Sequence, residues 1–328
     1  LQAYLDRHPS ELGIKEQLAR ALVANKQLIE ARKQFLEIHN ATPTPTVRMS
    51  LGLIDLELNN PSEAEAWIRP LLEEPSLREM AVYYLAQALL MQNQKEAALD
   101  LWSKVTGDDY GLDALIWRTQ TLFDLNRRDE AFSLAKNFEH RNHNDYARGV
   151  RLQVRLYLLL PNPAQALTVF DMAIAQKPEI AEFWRDRANL RYELGDHKGF
   201  EQDMRHALSL NDQDADALNA LGYFLVENSK SLVEARKLLE KANSLTPNKH
   251  HIVDSLGWLS FREGNLKQAE SLLDRAYQLQ ADGEVLAHWL TVLVKMNNQG
   301  KAKQLIQTEA IKYPQDKALQ QLIQQIQK

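Results

Sequence analysis

Cysteine is absent from the chain, which excludes disulfides, thiolate catalysis and zinc–cysteine sites while leaving the compartment open. Glycine and proline number only 12 and 11 among 328 residues, few for an all-β protein with its many tight turns. No apolar run approaches the roughly 20 residues that a bilayer span needs. Charge of one sign does not dominate: the formal net charge is −5, so nothing advertises a nucleic-acid surface. Catalytic signatures are missing too, with no GxSxG, GxGxxG, phosphate loop or HExxH. No low-complexity stretch and no strand-like period occurs. A chain that is 45% hydrophobic and 25% charged is nonetheless globular in composition. It opens on Leu1, without a signal peptide, so the true N-terminus is expected to lie upstream.

The stretch 254–276, DSLGWLSFREGNLKQAESLLDRA, reads as helical, yet it contains Gly257. A glycine inside a helix costs roughly 1 kcal/mol relative to alanine. The explanation is a repeat. Leu256-Gly257 has counterparts at Leu221-Gly222 and Leu51-Gly52, and Glu/Gln-Ala recurs at Glu30-Ala31, Glu63-Ala64, Glu130-Ala131, Gln165-Ala166, Glu234-Ala235 and Gln268-Ala269. Aligned on these landmarks, the chain divides into nine units starting near 12, 45, 79, 112, 147, 181, 215, 250 and 283, at intervals of 33 to 35 residues.

Position 8 of the unit carries Ala19, Gly52, Ala86, Thr119, Val154, Ala188, Gly222, Gly257 and Leu290. Position 20 carries alanine in seven units, with Ala235 displaced by one inserted residue and Phe200 the exception. Position 7 is leucine in five units but Arg118, Gln153, Arg187 and Trp289 in the others. The pattern predicts a helical hairpin, with helix A carrying position 8 and helix B carrying position 20. Small residues there let the two backbones approach. Overpacking such a contact costs about 1–3 kcal/mol, more than the helix penalty of glycine, so packing wins. Asn59-Asn60-Pro61, Asn162-Pro163, Gly195-Asp196 and Gly264-Asn265 mark the A–B turns, with Pro61 and Pro163 at the starts of B helices.

These residues resemble the tetratricopeptide repeat, which has Trp at position 4, Leu-Gly at 7 and 8, Tyr near 11, Ala at 20, Phe at 24, Ala at 27 and Pro at 32. The unit from 147 supplies Tyr157, Ala166, Phe170, Ala173 and Pro178, and the next supplies Trp184, Gly195 and Ala207. The resemblance covers essentially the whole chain and implies an all-α, right-handed superhelical solenoid of antiparallel helix pairs. Departures cluster in the units from 112 and 283. Residues 1–11 read as the tail of a truncated upstream repeat, 12–316 as nine repeats, and 317–328 as an amphipathic, glutamine-rich capping helix.

A solenoid offers a concave groove lined by helix-A positions 2, 5, 9 and 12. The unit from 147 places Arg148, Arg151, Arg155 and Leu158 there, and the next places Glu182, Arg185, Asn189 and Tyr192. Asp216, Asn219, Tyr223 and Val226 follow, then His251, Asp254, Trp258 and Phe261. The wall is thus expected to run from a cationic patch to an aromatic one. Arg148, Arg151, Arg155 and Arg185 can clamp carboxylates while Asn189 and Asn219 bond a peptide backbone; alternatively the arginines pair with Glu182 or Asp186 as an ordinary solvated face. Tyr192, Tyr223, Trp258 and Phe261 are hot-spot types, unless the frame slips and they pack inward.

Elsewhere, His250, His251 and Asp254 can share a helix face and hold a metal, or form a solvated helix start. His140 and His143 lie in a loop-like run, and Asp108-Asp109 look like turn residues. With no further ligand evident, no metal or cofactor is expected, and no catalytic residue. The dicarboxylate clamp of chaperone adaptors is a poor match. Arg185 and Asn189 resemble its first repeat, but Ala220 stands where an asparagine is needed, and His251 and Ser255 cannot supply its cation pair.

The stretches DALNALGYFLVE (216–227) and HHIVDSLGWLSFREGNLKQAESLLDRAYQL (250–279) resemble the C-terminal repeats of outer-membrane tetratricopeptide lipoproteins of the proteobacterial type. In one such family the lipoprotein binds and activates a periplasmic carboxyl-terminal processing protease and delivers cell-wall hydrolases to it. The resemblance implies a noncatalytic adaptor at the periplasmic face of the outer membrane, with protein partners and a lipid anchor upstream of this chain. Rival readings are a scaffold for exopolysaccharide export or pilus assembly, a cytosolic peptide-binding adaptor, and a regulatory repeat domain cut from a larger enzyme. A lipobox cysteine in the full gene favours the lipoprotein readings, and a fused catalytic domain favours the enzyme.

Overall fold

A computed structural model describes residues 11–107, 109–138, 143–228 and 230–326, the side chains of 143–145 excepted. Residues 1–10, assigned above to an upstream repeat, lie outside them. The protein is all-α, with no strand among the described residues. The chain divides into two compact units, residues 1–166 and 167–328, and each is taken by itself. The first holds the pairs α1 (Leu12–Ala24) and α2 (Leu28–Ala41), α3 (Pro45–Glu57) and α4 (Pro61–Ile68), α5 (Arg78–Met91) and α6 (Lys95–Trp102), and α7 (Gly111–Asp124) and α8 (Arg128–Phe138). It ends with α9 (His143–Leu158). At the division begins α10 (Gln165–Gln176). The second unit then pairs α11 (Ala181–Glu193) with α12 (His197–Leu210), α13 (Ala215–Glu227) with α14 (Leu232–Leu245), α15 (His250–Arg262) with α16 (Leu266–Leu279), and α17 (Gly283–Lys295) with α18 (Gln299–Thr308). Last comes α19 (Lys317–Ile326), which packs on α17 and buries Leu319 and Ile323 in the same hydrophobic cluster.

One turn geometry reverses the chain inside these pairs. Lys26, Asn59, Asn93, Asn126, Gly195, Gly264 and Asn297 all occupy position 15 and all have positive φ, between 59° and 85°. The following amide reaches back five residues, as in Asn60 N–H to the Asp55 carbonyl at 2.8 Å and Asn265 N–H to the Ser260 carbonyl at 2.8 Å. This is the Schellman closure of a helix end, for which glycine and asparagine pay least. The sequence marks it clearly at Asn59, Gly195 and Gly264 and leaves it unmarked at Lys26. Pro61 is the first residue of α4, whereas Pro163 lies two residues ahead of α10, in a turn closed by Ala166 N–H to the Pro163 carbonyl at 3.0 Å.

The small residues do not simply meet each other, as the hairpin reading supposed. A methyl group on Gly52 would lie 2.5 Å from Ile68 Cγ1, on Gly222 2.8 Å from Leu239 Cγ, and on Gly257 2.8 Å from Leu273 Cγ. Each glycine is therefore a seat for a large helix-B side chain one turn beyond the position-20 alanine. That alanine is itself fully buried in every case, from Ala31 to Ala302. Position 20 contributes its backbone: the carbonyls of Ala64 and Ala235 lie 3.6 and 3.5 Å from the sites of the absent methyls at Gly52 and Gly222. Gly257→Ala is expected to lose about 1 kcal/mol, because overpacking outweighs the helix-propensity gain. In a Leu273→Ala background the same change should turn stabilising by roughly 0.5–1 kcal/mol. Urea midpoints of the four proteins measure this, and equal effects in both backgrounds would reject the seat.

The unit from 181 departs at both conserved positions, and the structure shows what replaces them. Arg187, at the usual leucine position, is buried and donates through Nε and Nη2 to the buried Asp203 carboxylate at 2.7 and 2.8 Å. Its Nη1 donates to Asp171 at 2.6 Å, its guanidinium lies 4.9 Å from the Trp184 ring, and Arg191 adds a second contact to Asp203 at 2.9 Å. Phe200, at the alanine position, packs its ring 4.8 Å from Phe224 of α13. A comparable strut joins Arg32 of α2 to the buried Asp55 of α3 at 2.7 and 3.1 Å. Asp203→Ala should cost about 3 kcal/mol, since it strands a buried guanidinium. Arg187→Leu combined with Asp203→Leu, which restores the leucine of other repeats, should recover most of that in denaturant melts.

Candidate protein-binding surfaces

In the first unit, the arginines of α9 stand on its exposed face. Arg148, Arg151 and Arg155 recur at helical spacing and, with Leu112, Ile116 and Leu152, line a pocket of about 190 Å³. The pocket is apolar at its base and cationic around it. A larger cavity of about 630 Å³ is lined by the A helices α1, α3 and α5 and by the B helix α2, among Val23, Phe35, Leu53, Tyr84 and Met91, with Arg20, Lys26 and Glu57 at polar positions. Sequence reading missed this cavity. The position-9 residues Arg20, Leu53 and Gln87 would have marked it had the groove rule been applied to the first three repeats.

In the second unit, Arg185 does not join an anion clamp. Its Nη1 donates to Asp214 at 2.5 Å, and its guanidinium reaches the neighbouring Asp186 at 3.3 Å, so it ties α11 to the start of α13. The solvated-face alternative comes closer, although Asp214 had not been foreseen. Two other residues assigned to the groove point into the protein: Val226 is fully buried and Asp254 is 6% exposed. Asn219 is partly buried, and its side-chain carbonyl oxygen meets no donor.

Asn189 and Tyr192 of α11 and Tyr223 of α13 come together around a pocket of about 320 Å³, whose other walls include Glu193, Phe200 and Phe224. Tyr192 is 43% exposed, with its ring 5.1 Å from His197 and 5.3 Å from Phe200. Beyond Tyr223 the aromatic tract continues. Trp258 stacks on Phe261 at 4.8 Å and on His288 at 4.3 Å. Its indole N–H donates to Glu227.

His288 is the member that sequence reading missed. It lies in α17, 34 residues after Asp254, and such a one-repeat separation between a histidine and an aspartate is the signal available. Its Nδ1 sits 2.9 and 3.1 Å from the two Asp254 oxygens, and its Nε2 is 3.5 Å from the Tyr223 hydroxyl. That hydroxyl in turn donates to Glu284 at 3.3 Å. Burial works against charge on His288, but the hydrogen bond to Asp254 and the fields of Asp254, Glu284 and Glu227 outweigh it and raise its pKa. Tyr223 is pushed well upward by burial and by the same three carboxylates.

The candidate ligands of the second unit turn to different partners. His251 turns to Asp216 at 3.3 Å while Asp254 turns to His288, and no group of three ligand-type side chains converges among the described residues. His140 and Asp108 lie outside those residues, as does the side chain of His143, and Asp109 sits in the turn before α7.

A raised histidine pKa fixes the sign of a pH effect. The His288–Asp254 pair stabilises fully below the unfolded histidine value of about 6.5 and loses that contribution as pH rises through the folded value. The thermal midpoint, read by tryptophan fluorescence, should therefore fall on raising the pH above about 6.5. His288→Gln should remove that slope while leaving the acid side intact. A wild-type slope retained in the variant would reject the pair as its source.

The tetratricopeptide repeat family model matches residues 49–108 and 151–215, and the chain's fold is all-α. A TPR repeat-containing protein of Pseudomonas aeruginosa is 34% identical over 209 residues, covering 61% of this chain and 34% of that protein. A TPR repeat-containing protein of Rhizobium etli is 38% identical over 64 residues, 20% of this chain and 31% of that protein. The chain thus spans about a third of the length of the curated relatives it matches. Among solved structures, Naa15/Naa10 bound to HypK-THB gives a TM-score of 0.46 at 16% identity, over 92% of this chain and 53% of that chain. Repeats of this kind serve as protein–protein interaction scaffolds. No helix among the described residues is long and apolar enough to cross a membrane.

Proposed function

We propose that this chain is a noncatalytic scaffold whose A-helix faces bind protein partners, and that it acts as an outer-membrane lipoprotein adaptor for a periplasmic carboxyl-terminal processing protease. The observation that carries the binding role is the aromatic set Tyr192, Tyr223, Trp258 and Phe261. All four sit on A helices and none is fully buried. Partly exposed tyrosine and tryptophan beside a formed pocket are the groups that anchor protein interfaces. The adaptor role rests on the resemblance of 216–227 and 250–279 to the lipoprotein repeats. The relative from Pseudomonas aeruginosa is compatible with it.

The mechanism needs no chemistry from this chain. Holding a protease on one surface and its substrate on another raises their mutual effective concentration. The α9 arginines and the aromatic tract are the candidate contacts, one in each unit.

Affinity capture from a bacterial envelope extract tests the reading, with a parallel bait carrying Arg151→Glu, Arg155→Glu and Trp258→Ala. A carboxyl-terminal processing protease should be recovered by the native bait and lost, by about tenfold or more, with the variant. Recovery by both baits keeps the adaptor and moves its interface elsewhere. Recovery of export or pilus components alone sinks the adaptor reading.

A further inference from the structure

The aromatic tract of the second unit has a charge that its residue types alone do not reveal. Carboxylates surround it. Glu193 lines the 320 Å³ pocket beside Tyr192, Glu284 accepts from the Tyr223 hydroxyl, and Glu227 accepts from the Trp258 indole. All three glutamates are exposed, and Asp216 lies on the same face of α13 one turn before Ala220, a wall of the pocket.

The cations nearby are already engaged. Arg262 reaches Glu227 only at 3.9 Å, His251 faces Asp216, and His288 is held by Asp254. Lys230 lies over Phe224, 4.9 Å from its centroid, and pairs with Glu201. Burial first, and then Glu284, Glu227 and Asp254, hold the Tyr223 hydroxyl protonated, and against its own burial the Asp254 hydrogen bond and the same carboxylates favour the charged form of the adjacent His288.

We propose that this face receives a basic segment of a partner protein, an extended stretch whose arginine or lysine side chains enter the pocket between Tyr192 and Tyr223 and lie along Trp258, with Glu193, Glu227 and Glu284 as counter-charges. The proposal rests on the scaffold reading and names the chemistry of one partner. Physical grounds favour a cation over a neutral apolar chain. An aromatic face attracts a cation within about 6 Å of its centroid, and an arginine adds planar stacking to the ion pair. A neutral apolar side chain would fill the pocket but leave the carboxylate rim uncompensated. An acidic segment would meet like charge, which costs several kcal/mol at an interface. The volume of about 320 Å³ is at the lower end of the roughly 300–1,000 Å³ typical of ligand pockets, which suits one long side chain rather than a bulky ligand. In the first unit the α9 pocket is lined by arginines rather than carboxylates.

The test uses the full 328-residue chain and a fluorescein-labelled peptide amide of repeated Arg-Gly-Ala, read by anisotropy. Matched probes carry Gln-Gly-Ala and Leu-Gly-Ala. The arginine probe should bind in the micromolar range and weaken as salt is added. Tyr192→Ala and Trp258→Ala, which change no charge, should each weaken it about tenfold. Glu193→Gln and Glu284→Gln should each weaken it by about threefold to tenfold, whereas Glu240→Gln, on helix α14, should leave it unchanged. Thermal melts of each variant confirm folding, and the exposed Glu193 gives a substitution with no core contact to lose.

Equal binding by all variants would show adventitious attraction to an acidic protein and overturn the proposal. Equally tight binding of the leucine probe would overturn it in favour of an apolar anchor. Dimerisation that competes with the probe would assign the face to a second copy. If the arginine probe fails while envelope capture is still lost with a bait carrying Trp258→Ala alone, this inference falls and the scaffold reading stands.

Discussion

Each pair with glycine at position 8 closes on the same contact, a large helix-B side chain seated over a helix-A position that has no room for a methyl group. The distances are short enough that backbone separation, not side-chain preference, sets the tolerance at Gly52, Gly222 and Gly257. The buried position-20 alanines keep the rest of that seam thin. The left-handed residue at position 15 then returns the chain at the correct distance. Because helix A spends one face on this contact, its remaining faces are left for neighbouring repeats and for solvent. Surface-directed aromatics on A helices are a consequence of that division.

Where the seam changes, the energetics change with it. In the repeat from 181 a buried ion pair replaces the leucine and a phenylalanine replaces the alanine. Arg187 tolerates burial because Asp203 and Asp171 satisfy its donors and Trp184 covers its plane. Phe200 tolerates its position because Phe224 accepts its ring from the next pair. The substitution thus couples α11 and α12 to α13 by aromatic contact, and the same rings become the base of the pocket behind Tyr192 and Tyr223. A departure that looks like decay of the repeat is what builds the cavity.

Charge differentiates the two surfaces more than shape does. The α9 pocket combines aliphatic walls with three arginines, while the tract from Tyr192 to Phe261 combines rings with carboxylates. A net charge of −5 spread evenly would favour neither. The proposed adaptor role draws on that difference, since partners of opposite charge would meet different linings.

Local rules were enough to settle the repeat period, the helical class and the candidate aromatic residues. Periodicity and small-residue spacing are properties of each hairpin, and a hairpin is encoded within 34 or so residues. Tyr192, Tyr223, Trp258 and Phe261 could be picked out because helical spacing fixes which face a residue shares. The sequence did not disclose that Arg185 is spent on Asp214, that Val226 and Asp254 turn inward, or that His288 completes the aromatic tract. Those outcomes depend on the next repeat, about 30 residues away, where a competing partner or packing surface decides a side chain's direction. The charge around the tract is likewise a sum over α11, α13, α15 and α17. Spacing within one helix determined which residues can face outward together, and packing between repeats decided which of them remain there and with what charge, because burial and ion pairing act through space rather than along the chain.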